Sequence, residues 1–199
     1  MQHFLRASAL AAGLTLALAT AGQGAAPPPS GRLDFDVVRN GKDIGTHGYA
    51  FSGSPAQLQV QVRTDVHVKV PVIRANLYTF THQSTEIWQN GHLAKLVAKT
   101  DDDGTPHSIS LGASQTLPAS LWEVDTVHAS TLLNTIDGSV MHVQVADLGV
   151  GPVAGGSLSA HHYRISGDLQ RDVWYDTNGL LAGLTMTAED GSQVTYVRK

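Results

Sequence analysis

Cysteine is absent from this chain, and positive charge is scarce. Without cysteine there are no disulfide bonds, no cysteine zinc sites, no thiol catalysis and no lipid anchor on a leader cysteine. Basic residues number 13 against 17 acidic ones, and they form no basic stripe. Neither nucleic acid nor an anionic membrane surface is therefore an expected partner.

Long apolar runs are also lacking, but the first residues have the order of a secretory signal peptide. Arg6 supplies the positive start, residues 7–19 form an uncharged apolar stretch, and small residues follow. The stretch is shorter than the roughly 20 residues of a membrane span, so a retained anchor is the less favoured alternative. We predict a signal peptide over residues 1–25, an extended Pro-rich tether over 26–31 and a single domain over 32–199. The expected location is periplasmic or secreted, with no transmembrane anchor after cleavage.

Six Asn-Gly or Asp-Gly pairs divide the rest of the chain. Tight hairpin turns need positive φ, which Gly adopts freely and Asn or Asp tolerate better than most residues. Most of the pairs lie between runs of alternating apolar and polar residues, so they predict antiparallel hairpins. The pairs are Asn40-Gly41, Asn90-Gly91, Asp103-Gly104, Asp137-Gly138, Asn178-Gly179 and Asp190-Gly191.

Alternating hydrophobicity predicts about ten strands. It is clearest over residues 58–70, where apolar residues recur at every second position until Pro71 bends or breaks the strand. Residues 118–136 interrupt the pattern and predict one short helix or two broken ones, with Pro118 at a first helical position. The expected fold is all-β and mainly antiparallel: a curved meander sheet forming an open or closed barrel, with the helical segment at one end or inside. A two-sheet β-sandwich is the alternative.

One predicted strand, residues 77–89, concentrates aromatic and ionisable side chains on one parity. If that parity faces a concave sheet, it forms the wall of a ligand pocket; cross-strand packing is the alternative. His82 and Glu86 lie about 13 Å apart along a strand, so acid–base pairing between them needs residues from neighbouring strands. The parity holds Tyr78, Phe80, His82, Ser84, Glu86 and Trp88.

Further aromatic residues complete the predicted ligand-binding set. Trp174 and Asp176 share a parity before a turn, although Asp176 also suits the turn itself, and Trp122 suits core filling as well as a lid. The predicted ligand-binding residues are Tyr78, Phe80, His82, Glu86, Trp88, Trp122, Tyr163, Trp174 and Asp176.

Signals for cofactors, metals and covalent catalysis are weak. Nine histidines follow the leader, but their spacing matches no metal-ligand motif, so solvated strand histidines are favoured and no metal or cofactor is predicted. The run Asp101-Asp102-Asp103-Gly104 lacks the remaining ligands of a calcium loop. No Gly-x-Ser-x-Gly motif or phosphate-binding glycine loop occurs, so catalytic residues are not identified.

Several phrases resemble a group of bacterial exported proteins described only as a domain of unknown function. The resemblance spans nearly all of the chain after the leader and implies a periplasmic β-domain without established catalytic residues. In outline the chain is also similar to the curved half-barrels that carry lipids or lipoproteins in the bacterial envelope. The phrases are Phe35 to Lys42 with Ile44-Gly45, His82 to Leu93, Leu132 to Thr135 before Gly138, and Trp174 to Asp176 before Gly179.

Three functions are consistent with these features. The favoured one is a binding protein for an apolar or amphipathic ligand such as a lipid, held by the aromatic face. The second is a structural or partner-binding envelope protein that uses a strand edge or an apolar surface patch. The third is a hydrolytic or metal-assisted enzyme that uses His82 and Glu86, and it requires a third titratable group nearby.

Overall fold

Nearly all of the described chain is β-structure. The computed structural model describes residues 26–69 and 76–199, so the predicted leader and Pro71 lie outside the described residues. The strands are β1 (Arg32–Arg39), β2 (Lys42–Ser54), β3 (Gln57–Lys69), β4 (Asn76–Gln89), β5 (His92–Asp102), β6 (Thr105–Leu111), β7 (Leu117–Pro118), β8 (Thr131–Leu133), β9 (Val140–Pro152), β10 (Ser159–Gly167), β11 (Arg171–Tyr175), β12 (Leu181–Thr187) and β13 (Gln193–Arg198).

The strands form one 13-stranded sheet that curls into an incomplete ring. Strands that follow each other in the sequence are neighbours from β1 to β6 and from β7 to β13, and β1 also pairs with β13. All of these pairs are antiparallel except β7 with β8. Within the described residues β6 and β7 are not paired, so they are the two ends of the sheet. The prediction of a mainly antiparallel, barrel-like meander is confirmed, in its open form.

The six predicted turns all join antiparallel neighbours. In three of them, at Asn40, Asn90 and Asp103, both the Asn or Asp and the following Gly have positive φ, as a primed type I turn requires. In the other three only the Gly has positive φ.

The predicted tether meets the sheet at its start. Pro28 is buried, and the Gly31 N–H donates to the Pro28 carbonyl at 2.8 Å to close a turn. The Gly31 carbonyl in turn accepts from the Phe51 N–H of β2.

The segment that breaks the strand pattern closes one end of the ring. We call residues 117–133 the plug segment; it contains β7, β8 and one 3-10 turn, Val124–His128, which is the predicted short helical segment. Its buried Leu121 and Trp122 belong to the main core cluster together with Trp88, Leu93 and Leu96 of the sheet. Within residues 26–69 and 76–199, no helix is long and apolar enough to cross a lipid bilayer.

Candidate ligand-binding cavity

The concave face beyond the plug segment borders an open cavity of about 900 Å³. This volume lies in the range of small-molecule binding sites, about 300–1,000 Å³. Strands β1 to β4 form one wall, β11 to β13 form the other, and the plug segment forms the floor. Much of the wall is apolar and includes Val62, Val66, Val68, Phe80, Leu184 and Met186.

Strand β4 runs from the cavity mouth to the plug segment, and the parity singled out in the sequence is the one that faces inwards. Glu86 and Trp88 are buried against the plug segment, and Phe80 and His82 line the cavity. Tyr78 lies at the mouth with 36% of its surface exposed, and its hydroxyl donates to Asp102 Oδ1 at 2.8 Å. One face of a single strand thus supplies both a core contact and a cavity wall.

A polar row crosses the cavity wall at right angles to the strands. His47, Thr64, His82 and Thr100 stand directly opposite one another on β2, β3, β4 and β5. The Nδ1 atom of His47 lies 2.7 Å from Thr64 Oγ1, and that of His82 lies 2.8 Å from Thr100 Oγ1. Burial lowers the pKa of His47 to about 3 and that of His82 to about 4, so both rings are neutral at pH 7.

Glu86 joins the sheet to the plug segment. Its Oε2 accepts hydrogen bonds from the indole nitrogens of Trp88 at 3.0 Å and Trp122 at 3.2 Å. Burial raises the pKa of Glu86 to about 6, while Ser120 and the two indoles oppose that rise. The nearby Ser120 hydroxyl favours the ionised form of the carboxylate. Among the described residues, however, neither Ser120 Oγ nor Glu86 Oε1 has a hydrogen-bond partner.

The structure separates the two ionisable groups considered for catalysis. His82 contacts Thr100, whereas Glu86 contacts two indoles and Ser120. Among the described residues no hydrogen bond or ion pair joins His82 to Glu86. Within the same residues, no three His, Asp or Glu side chains are grouped as metal ligands.

The remaining predicted site residues lie away from the cavity. Trp174 packs on the convex face with Val153, Ala160 and Ala182, and its ring stacks on His162 with a centroid distance of 4.1 Å. Asp176 accepts hydrogen bonds from the backbone of the turn before β12 and forms an ion pair with Arg198 at 2.7 Å.

Tyr163, the last of the predicted set, lies beside the main core. It is partly buried and packs with its ring centroid 6.2 Å from that of Tyr175.

Sequence reasoning missed several polar residues of the cavity wall, among them His47, Arg171 and Tyr196. In β11 apolar residues occupy both parities, so the sequence does not reveal that Arg171, Val173 and Tyr175 face inwards. Burial decides the question, because Val173 and Tyr175 belong to the main core cluster. The alternation at Val194 and Tyr196 indicated a strand, but not its place next to β1.

Comparison with known proteins agrees with this architecture. A family model described as "Domain of unknown function (DUF6134)" matches residues 35–199. The chain belongs to this family. No curated protein matches this member of the family.

A solved structure described as a beta-barrel-like protein of domain of unknown function DUF1849, from Brucella abortus, is similar to this family member in fold. The two have a TM-score of 0.59 and 12% sequence identity, over 84% of this chain and 94% of that chain. At that identity the likeness concerns the fold alone.

Proposed function

We propose that the protein is exported to the periplasm and binds an apolar or amphipathic ligand in the concave cavity. The observation that carries this proposal is a hollow of about 900 Å³ with a largely apolar wall and a mouth beside Tyr78. An open hollow of this size with a largely apolar wall and a few polar groups is typical of a ligand-binding site.

The polar row on strands β2 to β5 also supports the proposal. His47 and His82 each have one ring nitrogen next to a threonine hydroxyl, and both rings are neutral. A few oriented polar groups in an apolar wall are typical of sites that orient an amphipathic molecule.

The test is binding of the neutral fluorescent probe N-phenyl-1-naphthylamine to the purified protein. An extrinsic probe is required because none of the described residues lining the cavity is a tryptophan. Met186→Trp and Val66→Trp place bulk inside the cavity and should weaken probe binding at least about tenfold. Gln61→Trp, on the exposed face of the same strand as Val66, is the matched control and should bind like the wild type. Equal binding by all four proteins would refute the cavity as the site.

A second candidate function, partner binding, is favoured by the outer edge of β9. Beyond its short ladder with β8, no described strand pairs with this edge. Besides Val140 at the ladder with β8, three large apolar side chains are exposed on β9 and on the turn to β10: Leu148, Val150 and Leu158. An apolar segment of another envelope protein is the partner that such a surface would bind. A bulge near Gly149 and Pro152 interrupt the edge, which favours contact through side chains over addition of a long strand.

Partner binding would be tested by cross-linking in periplasmic extracts. Val150→Asp should abolish a cross-linked species that forms with the wild type and with Gln144→Asp, an exposed control on the same strand. The same species with all three proteins would exclude this surface. Catalysis by His82 and Glu86 stays a prediction, which no contact between the two side chains supports.

A further inference from the structure

Arg171 lies on the inward face of β11 and in the wall of the cavity, whose other arginine, Arg39, is paired with Asp190. It lies opposite Ile165 of β10 and on the same parity as Val173, both of which are fully buried. Its surroundings are therefore apolar on the side of the core and open on the side of the cavity.

Arg171 has no ionic partner among the described residues. Arg39, Arg164 and Arg198 each form an ion pair with an aspartate. In contrast, the hydrogen bond of Arg171 goes from Nη1 to the backbone carbonyl of its neighbour Gln170, at 2.7 Å. Burial lowers the pKa of Arg171, yet a guanidinium remains charged at any physiological pH. A half-buried charge without a partner is unfavourable, and an anion is the group that would compensate it.

Two further polar groups lie beside this charge. Tyr196 of β13 is near enough for the guanidinium to oppose the rise in its pKa that burial causes. The Tyr196 ring in turn lies 4.9 Å, centroid to centroid, from the ring of His47. Among the described residues the buried Nε2 atom of His47 has no hydrogen-bond partner. Strands β2, β11 and β13 thus bring a cation and two neutral polar groups to one part of the cavity wall.

We propose that the ligand is an acidic amphiphile, with one anionic headgroup bound by Arg171 and a hydrocarbon chain along the wall formed by Val66, Phe80 and Met186. Tyr196 provides a further polar contact for the headgroup. This inference rests on the proposed function, and it adds the sign and the number of the ligand's charges.

The carboxylates near the mouth are the groups that oppose an anionic ligand. Asp190 pairs with Arg39, and Asp102 accepts a hydrogen bond from Tyr78, whereas Glu189 is exposed to solvent. Solvent screens exposed charges strongly, so the desolvated Arg171 has the larger effect on a headgroup inside the cavity. A cationic amphiphile bound by these carboxylates is the opposite outcome, and the experiment includes it.

The experiment measures displacement of N-phenyl-1-naphthylamine by three amphiphiles with the same hydrocarbon chain at pH 7.5. These are palmitate, hexadecanol and hexadecyltrimethylammonium. The wild type should bind palmitate at least about tenfold more tightly than hexadecanol, because a hydrogen bond to a charged group contributes about that factor or more. Arg171→Gln should lose about 10- to 100-fold in palmitate affinity and keep its hexadecanol affinity within about twofold.

Two further variants distinguish the loss of the Arg171 charge from a general loss of positive charge and from a loss of stability. Arg164→Gln removes one positive charge from the exposed face of the neighbouring strand and should retain the preference for palmitate. Arg171→Lys keeps the charge, and should keep part of the preference even if Arg171→Gln proves unstable.

The outcomes distinguish this inference from the proposed function. Equal affinity of the wild type for palmitate and hexadecanol would overturn the acidic headgroup and leave cavity binding intact. Preference for the cationic amphiphile, or an unchanged preference for palmitate in Arg171→Gln, would also overturn it. Failure of all three amphiphiles to displace the probe, or of the probe to bind, would overturn both proposals.

Discussion

At the scale of single residues, the concave face carries ionisable side chains whose burial disfavours their charged forms. His47 and His82 are buried beside threonine hydroxyls, and Glu86 is fully buried between two indoles. Burial penalises the charged form of each, so the pKa values of the histidines fall and that of Glu86 rises. These opposite shifts make opposite contributions to stability as the pH changes.

The first prediction concerns Glu86. Its pKa rises from 4.5 to about 6 on folding, so its contribution to the free energy of unfolding is full below pH 4.5. That contribution falls by about 2 kcal/mol as the pH rises through 6. Glu86→Gln keeps an acceptor oxygen for both indoles and removes the titration. Urea denaturation should show the variant gaining about 2 kcal/mol relative to the wild type between pH 4.5 and 7.5. A difference in the free energy of unfolding between variant and wild type that does not change with pH would contradict this explanation. The exposed control Glu189→Gln should show such a constant difference.

The second prediction concerns His82. Its pKa falls from 6.5 to about 4 on folding, so the stability it contributes is complete above pH 6.5 and is lost as the pH decreases towards 4. The loss is about 3 kcal/mol, and His47 adds a loss of the same sign. His82→Gln should reduce the acid destabilisation by about that amount in urea denaturation, whereas exposed His142→Gln should not. An NMR titration that placed the pKa of His82 near 6.5 would refute this explanation.

At the scale of elements, turn chemistry and close strand contacts determine the hairpins. Gly91 has φ of +79° with open space around it, so conformation alone favours glycine there. Gly45, opposite Val66 in the β2–β3 ladder, has a second reason: a Cβ atom would lie 2.0 Å from the Asp65 carbonyl oxygen. The two positions therefore separate the effect of backbone conformation from that of contact between strands.

The third prediction compares alanine at these two glycines. Gly91→Ala should lower the free energy of unfolding by about 1 kcal/mol, which is the effect of the left-handed conformation alone. Gly45→Ala should lower it by more than about 3 kcal/mol, because the β2 and β3 backbones have to separate. Urea denaturation measures both changes. Equal effects of the two substitutions would show that the β2–β3 backbones accommodate a methyl group.

At the scale of the whole molecule, the first and last strands pair in the centre of the described sheet. Its two edge strands, β6 and β7, are consecutive in the middle of the chain. β1 pairs with β13, and the Lys199 N–H donates to the Asp34 carbonyl at 2.9 Å. The ring is interrupted between β6 and β7, where exposed residues such as Gly112 and Ala113 connect the two strands. The first and last strands therefore lie together at the β1–β13 pair, whereas the gap in the hydrogen-bonded ring lies between β6 and β7.

The fourth prediction is that a circular permutant cut between Gly112 and Ala113, with the former ends joined by a short flexible linker, folds into the same sheet. No described ladder pair is broken by that cut, so its free energy of unfolding should stay within about 2 kcal/mol of that of the parent. Deletion of β13 should instead abolish cooperative unfolding, because β1 and β12 both lose their neighbour. Circular dichroism and urea denaturation measure both. A well-folded deletion variant would contradict the structural role of β13.

Part of this architecture was predictable from local patterns. Alternation along β3 and β4 identified the strands and their two faces, and most of the Asx-Gly pairs were identified as hairpin turns, because side-chain period and positive φ are local properties. The aromatic and ionisable face of β4 was recognised for the same reason. The candidate ligand-binding role of that face and the export of the chain stay proposals.

The sequence by itself therefore determined the strand content, the antiparallel order of most neighbours and the two faces of β4. The tertiary structure alone decided that β1 meets β13, with Arg39 and Ser192 in contact across 153 positions of sequence. It also decided that Arg171 rather than Trp174 faces the hollow, and that Glu86 binds Trp122 of the plug segment. These contacts join residues far apart in the chain, and they depend on how a twisted sheet curls, which no local pattern of hydrophobicity specifies.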